Sequence, residues 1–359
     1  MASVLSQTSH TFDEYLILPG LTKREHRSDT ISLDTQLARE KNGRHINLKI
    51  PFASAVMQAV TGVKMAQTLG QEGGIGFIYQ SQQIDDQARM VKEVKTRWVL
   101  VGAGINTRDY RERVWKLFDA GVDALCIDAS DGYSEWQADA IQYIQDLWTD
   151  VPVVAGNIVD ARAFRFLVDA GADAVKVGIW WGQICTTRLQ KAIGRGQASA
   201  LLDVAEARDA YFQQSGIYIP LASDGGATED YHNTLALAMG ADWLMHGRLF
   251  AACDESPAQK LKVDGQDMKE YWGEWSARAR AQGNTLRYDG ALFEEGVDSL
   301  IPATGPVGPV LQRIMAKIRA TMVSSGVSNF REFHEHAVLT LISQASFQEG
   351  GTSKVRVRN

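Results

Sequence analysis

The sequence is poor in cysteine and lacks long apolar runs, and each shortage excludes a class of protein. Its 359 residues include three cysteines, Cys126, Cys185 and Cys253, without CxxC spacing. An odd and sparse set argues against a disulfide framework or a zinc site and favours a reducing, cytoplasmic setting. No apolar run reaches the length that crosses a membrane, and residues 1–10 lack the basic and apolar segments of a signal peptide.

Basic residues are also in deficit, because 37 Lys and Arg stand against 43 Asp and Glu and leave a net charge of -6. This balance weighs against nucleic acid and anionic membranes as partners, but it leaves room for one basic pocket that binds a phosphate. The hydrophobic fraction of 45% is typical of a globular chain that buries a large core. No low-complexity linker divides the chain, so we expect a single domain over residues 1–359.

Short apolar runs alternate along the chain with longer segments of helical spacing. Continuous apolar runs of this length are typical of parallel strands that helices cover on both faces. The pattern predicts an α/β fold, namely a closed (β/α)8 barrel of the TIM type, with an open doubly wound sheet as the alternative. The predicted strands are 50–56, 74–78, 98–105, 124–129, 153–158, 174–179, 219–223 and 243–245, and the clearest helices are 65–73, 108–120 and 161–170.

Internal similarity supports the barrel. The segment "AGVDALCID" closely resembles "AGADAVKVG" and "MGADWLMHG", and each consists of a helix end, a glycine turn, an aspartate and a strand. Such repeats are what a barrel built from β/α units produces.

The alternation stops over residues 254–309, which are polar, contain glycine and aromatic residues, and follow the last predicted strand. A long irregular segment at the end of a barrel where active sites lie predicts a flap, with a loop of no functional role as the alternative. Beyond it, residues 310–323 and 329–341 are predicted to form closing helices. The tail over residues 348–359 is predicted to be extended.

Candidate reactive residues follow the predicted strands, where βα loops place the active site of a barrel. Cys185 lies in the loop after the sixth strand. A thiolate is a strong nucleophile, a nearby cation or helix N-terminus lowers its pKa, and Thr187 could relay a proton. A lone cysteine is as often a packing residue, so position alone leaves both interpretations open for Cys185, and packing is expected for the other two. Polar or flexible side chains at the other strand ends are Met57, Gln58, Asp128, Ser130 and Asn157.

The loops after the seventh and eighth strands carry groups suited to a nucleotide. Asp224 precedes Gly225 and Gly226, and a carboxylate can accept two vicinal ribose hydroxyls while glycines let backbone amides approach a phosphate. Gly247 and Arg248 fit the same purpose, because barrels often bind phosphate after these two strands. A salt bridge on the barrel rim is the alternative role for Arg248.

Taken in order, several motifs resemble those of the IMP dehydrogenase / GMP reductase family over nearly the whole chain. The family commonly carries a regulatory domain pair inserted after the second β/α unit. Here "VKEVKTRWVLVGAGIN" runs through that point near Arg97, so we expect the insert to be absent. The motifs are "TFDEYLILPG", "IPFASAVMQAVTG", "GGIGFI", "DASDGYSE", "VVAGNIV", "ADAVKVGI" followed by "ICTTR", "SDGG" and "MHGRLFAACDESP".

The resemblance implies NAD-dependent oxidation of IMP to XMP, with a role for each matching residue. Cys185 would attack the C2 carbon of hypoxanthine and form a thioimidate as hydride passes to the nicotinamide. Arg287 and Tyr288 of the flap would activate the hydrolytic water, with Thr187 and Glu295 as a second pair, although the residues alone favour a solvated Arg-Tyr pair. Asp128 and Ser130 would contact the nicotinamide riboside. The substrate-binding residues would be Met57, Asn157, Asp224, Gly225, Gly226, Gly247, Arg248 and Tyr271.

The resemblance also implies a potassium ion and a homotetramer. The ion would bind to carbonyls of Trp180, Gly182 and Cys185, together with Glu349, Gly350 and Gly351 of a neighbouring subunit.

The cysteine loop departs from the family pattern of small residues, mostly glycine, followed by a serine before Ile-Cys. Trp180, Trp181, Gly182 and Gln183 occupy it here. Glycines in such loops usually allow positive φ or close approach of the backbone, so two indoles put the phosphate and potassium sites in question. Either both indoles point outward and the site survives, or the enzyme is slow, takes an altered purine or has lost catalysis.

Three functions are therefore compatible with the sequence. An IMP dehydrogenase is favoured, because Arg287 and Tyr288 suit a hydrolytic flap that GMP reductases lack. A GMP reductase, or a paralogue acting on a modified purine nucleotide, is the second. A non-catalytic nucleotide-binding protein that keeps only the barrel is the third.

Overall fold

The computed structural model describes residues 4–179, 190–274, 276–281 and 296–350. At its centre is a closed barrel of eight parallel strands, in which the last strand pairs with the first. Closure confirms the predicted (β/α)8 barrel and excludes the open doubly wound sheet. The strands are β1 (Phe52–Ser54), β2 (Ile75–Ile78), β3 (Val101–Ile105), β4 (Ala124–Ile127), β5 (Val153–Ile158), β6 (Ala174–Val177), β7 (Leu221–Asp224) and β8 (Trp243–His246).

Helices cover the outside of the barrel, and those predicted at 65–73, 108–120 and 161–170 are confirmed. The helix after β5 shows why these segments are helical: Asp160 accepts the backbone N–H of Ala163 at 2.9 Å, and Phe164 and Leu167 are buried. The described helices are α1 (Val63–Gln71), α2 (Ile84–Lys95), α3 (Tyr110–Asp119), α4 (Glu135–Asp146), α5 (Ala161–Asp169), α6 (Gln197–Ser215), α7 (Asp230–Ala238), α8 (Arg248–Ala251), α9 (Ala277–Ala281), α10 (Val307–Ser325), α11 (Phe330–His336) and α12 (Gln344–Glu349). Among them, none is long and apolar enough to cross a bilayer.

The repeated aspartate of the sequence has one structural role at β4, β6 and β8. In each unit the aspartate donates its backbone N–H to the first residue of the preceding strand and accepts that residue's N–H with its carboxylate. The pairs are Asp123 with Val101, Asp173 with Val153, and Asp242 with Leu221, with carboxylate distances of 2.9, 2.9 and 2.7 Å. Each aspartate thus extends the strand pairing to the amino-terminal end of the barrel.

Cations then neutralise these carboxylates, and several come from the segment that precedes the barrel. Asp173, which has no exposed side chain surface, pairs with Arg39 at 2.7 Å and Lys41 at 3.3 Å. A short hairpin of Thr35–Gln36 and Asn47–Leu48 flanks this segment, and Trp243 donates its indole N–H to the Leu37 carbonyl. The segment before the barrel therefore covers its amino-terminal end, so a ligand-binding site is expected at the carboxyl-terminal end.

The segment expected to be irregular, 254–309, contains a three-stranded antiparallel sheet, so the expectation is wrong for that part. Its strands are Lys260–Val263, Gln266–Trp272 and Asp298–Pro302. The first two are joined by Asp264 and Gly265, with φ of 50° and 81°, which are the values of a two-residue hairpin turn. Residues 275 and 282–295 of the expected flap lie outside the described residues.

The helix expected over 329–341 is also wrong in its second half. Helix α11 ends at His336, and Val338–Leu341 forms a strand antiparallel to Tyr15–Leu18. Pairing with a segment more than 300 positions away decides the local structure here. Helix α10 confirms the expected helix at 310–323 and begins three residues earlier. Helix α12 includes Gln348 and Glu349, so the tail is not extended there.

Candidate active site

A buried lysine lies between two carboxylates at the carboxyl end of the barrel. The Lys176 ammonium on β6 is 2.7 Å from an oxygen of Asp224 on β7 and 3.7 Å from an oxygen of Asp128, just after β4. Burial alone would lower the pKa of Lys176, but Asp224, with help from Asp128, outweighs it and raises that pKa above its ordinary value. Lys176 therefore stays charged and holds the two predicted ligand-binding carboxylates together.

Amides complete this cluster. Asn157 donates to Asp224 Oδ2 at 2.9 Å, and Gln80 donates to Asp128 Oδ2 at 3.1 Å. The carbonyl oxygens of both amides, and that of Gln197, are buried without a hydrogen-bond partner in the part of the chain described here. Buried acceptors of this kind are rare, and a ligand with hydroxyl or amide donors would satisfy them.

The two glycines after Asp224 have the conformation that their position predicts. Gly225 and Gly226 have φ of 82° and 78°, and a Cβ at Gly226 would lie 2.9 Å from the Gln197 Cγ. Only glycine fits such a turn without strain, and the turn leaves the backbone accessible to a ligand.

Three other predicted substrate residues meet at one point. A Cβ on Gly247 would lie 2.7 Å from the Tyr271 hydroxyl and 3.3 Å from the Met57 sulfur. Arg248 begins the short helix α8, and its exposed side chain makes no hydrogen bond or ion pair within the described ranges, so the rim salt bridge is not seen there. Ser130 lies half-buried two residues after Asp128.

The remaining predicted residues are only partly described. Cys185, Thr187, Arg287, Tyr288, Glu295, Trp180, Gly182 and Gly351 lie outside the described residues. Gly178 and Ile179 carry the chain from β6 into the cysteine loop beside Asp224, where a Cβ on Gly178 would meet the Asp224 carbonyl. Glu349 and Gly350 are exposed at the end of α12.

The other two cysteines are packing residues, as expected. Burial raises the pKa of Cys126 to about 12 and that of Cys253 to about 11, so neither carries a thiolate near neutral pH. Among the three thiols of the chain, these two are poor nucleophiles.

Sequence reasoning missed Lys176 and Gln80. A lysine inside the apolar run "ADAVKVG" was the available signal for the first, because a strand covered on both faces buries a charge only beside a partner. Gln80 follows β2 just as the predicted residues follow other strands, and its position alone could have marked it.

The family model for the IMP dehydrogenase / GMP reductase domain matches residues 9–353. The chain belongs to this family. The match spans every barrel strand, the carboxylates that Lys176 bridges and the sheet that carries Tyr271. The family resemblance of the sequence motifs is thereby confirmed.

Curated relatives agree with this membership. An inosine-5'-monophosphate dehydrogenase from Tritrichomonas foetus is 37% identical, and the alignment covers 100% of this chain and 98% of the relative. One of the same name from Borreliella burgdorferi is 28% identical over 97% of this chain and 98% of the relative. A GMP reductase from Mycobacterium bovis is 38% identical, but over 70% of this chain and 53% of the relative. The first alignment runs over 498 residues, which exceeds the 359 of this chain and requires gaps in it.

Proposed function

We propose that this protein oxidises IMP to XMP with NAD as hydride acceptor, through a covalent intermediate on Cys185. The observation that carries the proposal is the bridge from Lys176 to Asp224 and Asp128, at the barrel end where the cysteine loop leaves β6. The relatives from Tritrichomonas foetus and Borreliella burgdorferi, which are named as inosine-5'-monophosphate dehydrogenases and are matched over 98% of their length, support the same reaction.

Asp224 is arranged to bind the ribose of the nucleotide. Lys176 and Asn157 both donate to Oδ2, which leaves Oδ1 to accept a ribose hydroxyl. Gly226 and Gly247 allow the backbone to approach the phosphate, and Tyr271 supplies a hydroxyl beside Gly247. These groups would hold the ribose and the phosphate of the nucleotide at the carboxyl-terminal end of the barrel.

The Cys185 thiolate would attack the C2 carbon of the bound base. NAD, when bound beside Asp128 and Ser130, supplies the acceptor for the hydride that leaves C2 with its electron pair. The purine stays on sulfur as a thioimidate. Water, deprotonated with the help of Arg287, Tyr288, Thr187 and Glu295, would then add to C2, and the carbon–sulfur bond breaks to release XMP and the thiol.

The residues present fit the two groups that the reaction needs. The Asp128 carboxylate is held by Gln80 and is 22% exposed, which suits an acceptor for the ribose hydroxyls of NAD. The exposed end of α12 presents Glu349 and Gly350, which suits one half of a potassium site formed of carbonyls and shared between subunits of a tetramer. Trp180, Gly182, Cys185 and Gly351 would complete it.

We also propose that residues 1–359 form one barrel domain without the regulatory insert. The chain passes directly from α2 to β3 through residues 96–100, where the insert would lie. The gaps that the alignment with the Tritrichomonas foetus relative requires support this proposal.

A GMP reductase is the second candidate, favoured by the 38% identity to the relative from Mycobacterium bovis. That match covers 70% of the chain, whereas the matches to the dehydrogenases from Tritrichomonas foetus and Borreliella burgdorferi cover 100% and 97% of it. Arg287 and Tyr288 in the sequence also favour hydrolysis over reductive deamination.

The decisive assay follows NADH absorbance after IMP and NAD are mixed with the protein, in potassium and in sodium buffers. We expect NADH formation that potassium stimulates and that Cys185→Ala abolishes. Oxidation of NADPH on addition of GMP would instead establish the reductase. Stabilisation by IMP without turnover in either assay would leave only a nucleotide-binding protein and would contradict the proposal.

A further inference from the structure

Glu274 is a buried carboxylate that the proposed mechanism does not use. It follows the strand Gln266–Trp272 and is 6% exposed. One of its oxygens accepts the backbone N–H of Gln58 at 2.5 Å, and the other accepts the Ser81 hydroxyl at 2.5 Å. Gln58 and Ser81 lie in the loops after β1 and β2, so one side chain ties the sheet to two βα loops.

Further bonds close this cluster. Gln58 accepts the Trp272 indole N–H at 3.2 Å through its side-chain oxygen, and its side-chain amide donates to the Ser81 carbonyl at 3.1 Å. Every polar atom of the Gln58 side chain is thus used within the cluster. Hydrogen bonds to a buried carboxylate are stronger than neutral ones, so Glu274 is the member whose loss should loosen the cluster most.

The cluster lies next to residues of the proposed nucleotide site. Gln58 adjoins Met57, Trp272 adjoins Tyr271, and Met57 and Tyr271 meet at Gly247. Any movement of the three-stranded sheet away from the loop after β1 would therefore separate Tyr271 from Met57.

The chain on the far side of Glu274 is held as well. Arg278 binds both carboxylate oxygens of Glu270 at 2.9 Å, and its guanidinium lies 4.0 Å from the centre of the Trp272 ring. Arg278 thus fixes Glu270 and Trp272 within this segment, and Glu274 joins the segment to the barrel.

We propose that Glu274 is a positioning residue, which holds Tyr271 against Met57 at the phosphate end of the nucleotide site by bridging Gln58 and Ser81. This role rests on the proposed function. Loss of the Glu274 carboxylate should weaken the binding of IMP more than the binding of NAD, because Asp128 is held separately by Lys176 and Gln80.

Glu274→Ala and Glu274→Gln separate the role from general stability. Alanine removes both acceptors, and we expect the KM and the calorimetric Kd for IMP to rise about tenfold, with the KM for NAD changed less than about twofold. Glutamine can accept from Gln58 and donate to Ser81, so it should restore IMP binding to within about threefold of wild type. Ser81→Ala, which removes one bond, should fall between them, and it keeps the test valid if Glu274→Ala does not fold.

Glu255→Ala is the matched control, because Glu255 also accepts a backbone N–H, that of Val307 at 3.1 Å, from a segment after the last barrel strand. It should leave both KM values unchanged. Equal IMP affinity in wild type, Glu274→Ala and Ser81→Ala would overturn the positioning role, as would losses of kcat with unchanged KM and Kd. If wild type binds IMP but shows no turnover, the proposed function is contradicted. The role of Glu274 is still tested in that case, because calorimetry compares IMP binding by the variants without turnover.

Discussion

Lys176 and the two described cysteines show how burial sets chemical roles at the scale of single residues. Lys176 is buried beside two carboxylates and stays charged, because its partners outweigh the cost of removing it from water. Burial raises the pKa of the Cys126 and Cys253 thiols, and it outweighs the opposing effects of Lys176 on the first and Lys269 on the second. Environment therefore separates these two cysteines from any thiol that opens onto the site.

Thiol alkylation should consequently be selective for one residue. With iodoacetamide near neutral pH in the folded protein, we expect one label per chain, at Cys185, and protection by IMP. Peptide mapping by mass spectrometry gives the position. Cys185→Ser should remain unlabelled, and labelling of Cys126 or Cys253 at a comparable rate would show that the assignment of reactivity is wrong.

His246 should make stability depend on pH. It is buried between Phe52 and Phe250, its Nε2 has no partner among the described residues, and burial lowers its pKa from 6.5 to about 4, against a weak opposing effect of Asp224. The unfolded chain then binds a proton at His246 more readily than the folded protein does. The contribution of this residue to the free energy of unfolding is therefore complete above pH 6.5 and is lost as pH falls toward 4. The free energy of unfolding should drop by about 3 kcal/mol over this range from this residue.

Urea unfolding of wild type and His246→Leu at several pH values checks this expectation. The variant should lose less stability between pH 6.5 and 4 than wild type does. His334, whose pKa burial also lowers, is present in both proteins and cancels in the comparison. Parallel pH profiles for the two proteins would refute the assignment.

At the scale of elements, the repeated aspartates matter most, because each joins two strands and binds cations from elsewhere. Asp173→Asn should lower the free energy of unfolding by about 3 kcal/mol, since Arg39 and Lys41 would lose their charged partner inside the protein. Asp150→Asn is the control: Asp150 is 55% exposed and 3.5 Å from Arg44, and its change should stay within about 0.5 kcal/mol. Equal effects in urea titrations would contradict the proposed role of the repeat.

Element positions that local patterning decides could be predicted, and those that distant contacts decide could not. The eight barrel strands follow from apolar runs and the repeat, because each is covered on both faces. The sequence pattern predicts helix for residues 338–341, and it misses the strand because the partner, Tyr15–Leu18, is far away in sequence. Asp264 and Gly265 are typical residues of a hairpin turn, but the composition of the whole segment predicts one irregular flap, so the sheet does not follow from it.

The candidate site shows the same division. Asp224, Gly226 and Gly247 could be placed from strand ends alone, because a parallel barrel brings all carboxyl ends to one face. The bridge by Lys176 and the tie by Glu274 depend on which side chains meet across that face. Sequence spacing does not determine such contacts.

At the scale of the whole molecule, the proposed potassium site is shared between subunits of the proposed tetramer. The carboxyl-terminal end of each chain would therefore contribute to the active assembly. Removal of residues 349–359 should abolish stimulation by potassium, because half of the proposed ligands would be lost, while the barrel stays folded by circular dichroism. Sedimentation should give a tetramer for wild type. Undiminished potassium stimulation in the truncated protein would show that the ion binds elsewhere.

The proposed reaction depends on one cysteine that forms a covalent bond to the purine. To detect this bond, the protein is mixed with IMP and NAD and quenched in acid within the first turnover, and the modified peptide is mapped by mass spectrometry. We predict a purine nucleotide adduct on Cys185, formed together with one NADH per site and absent from Cys185→Ser. NADH formation by Cys185→Ser at the wild-type rate, or an adduct on another residue, would show that Cys185 is not the nucleophile.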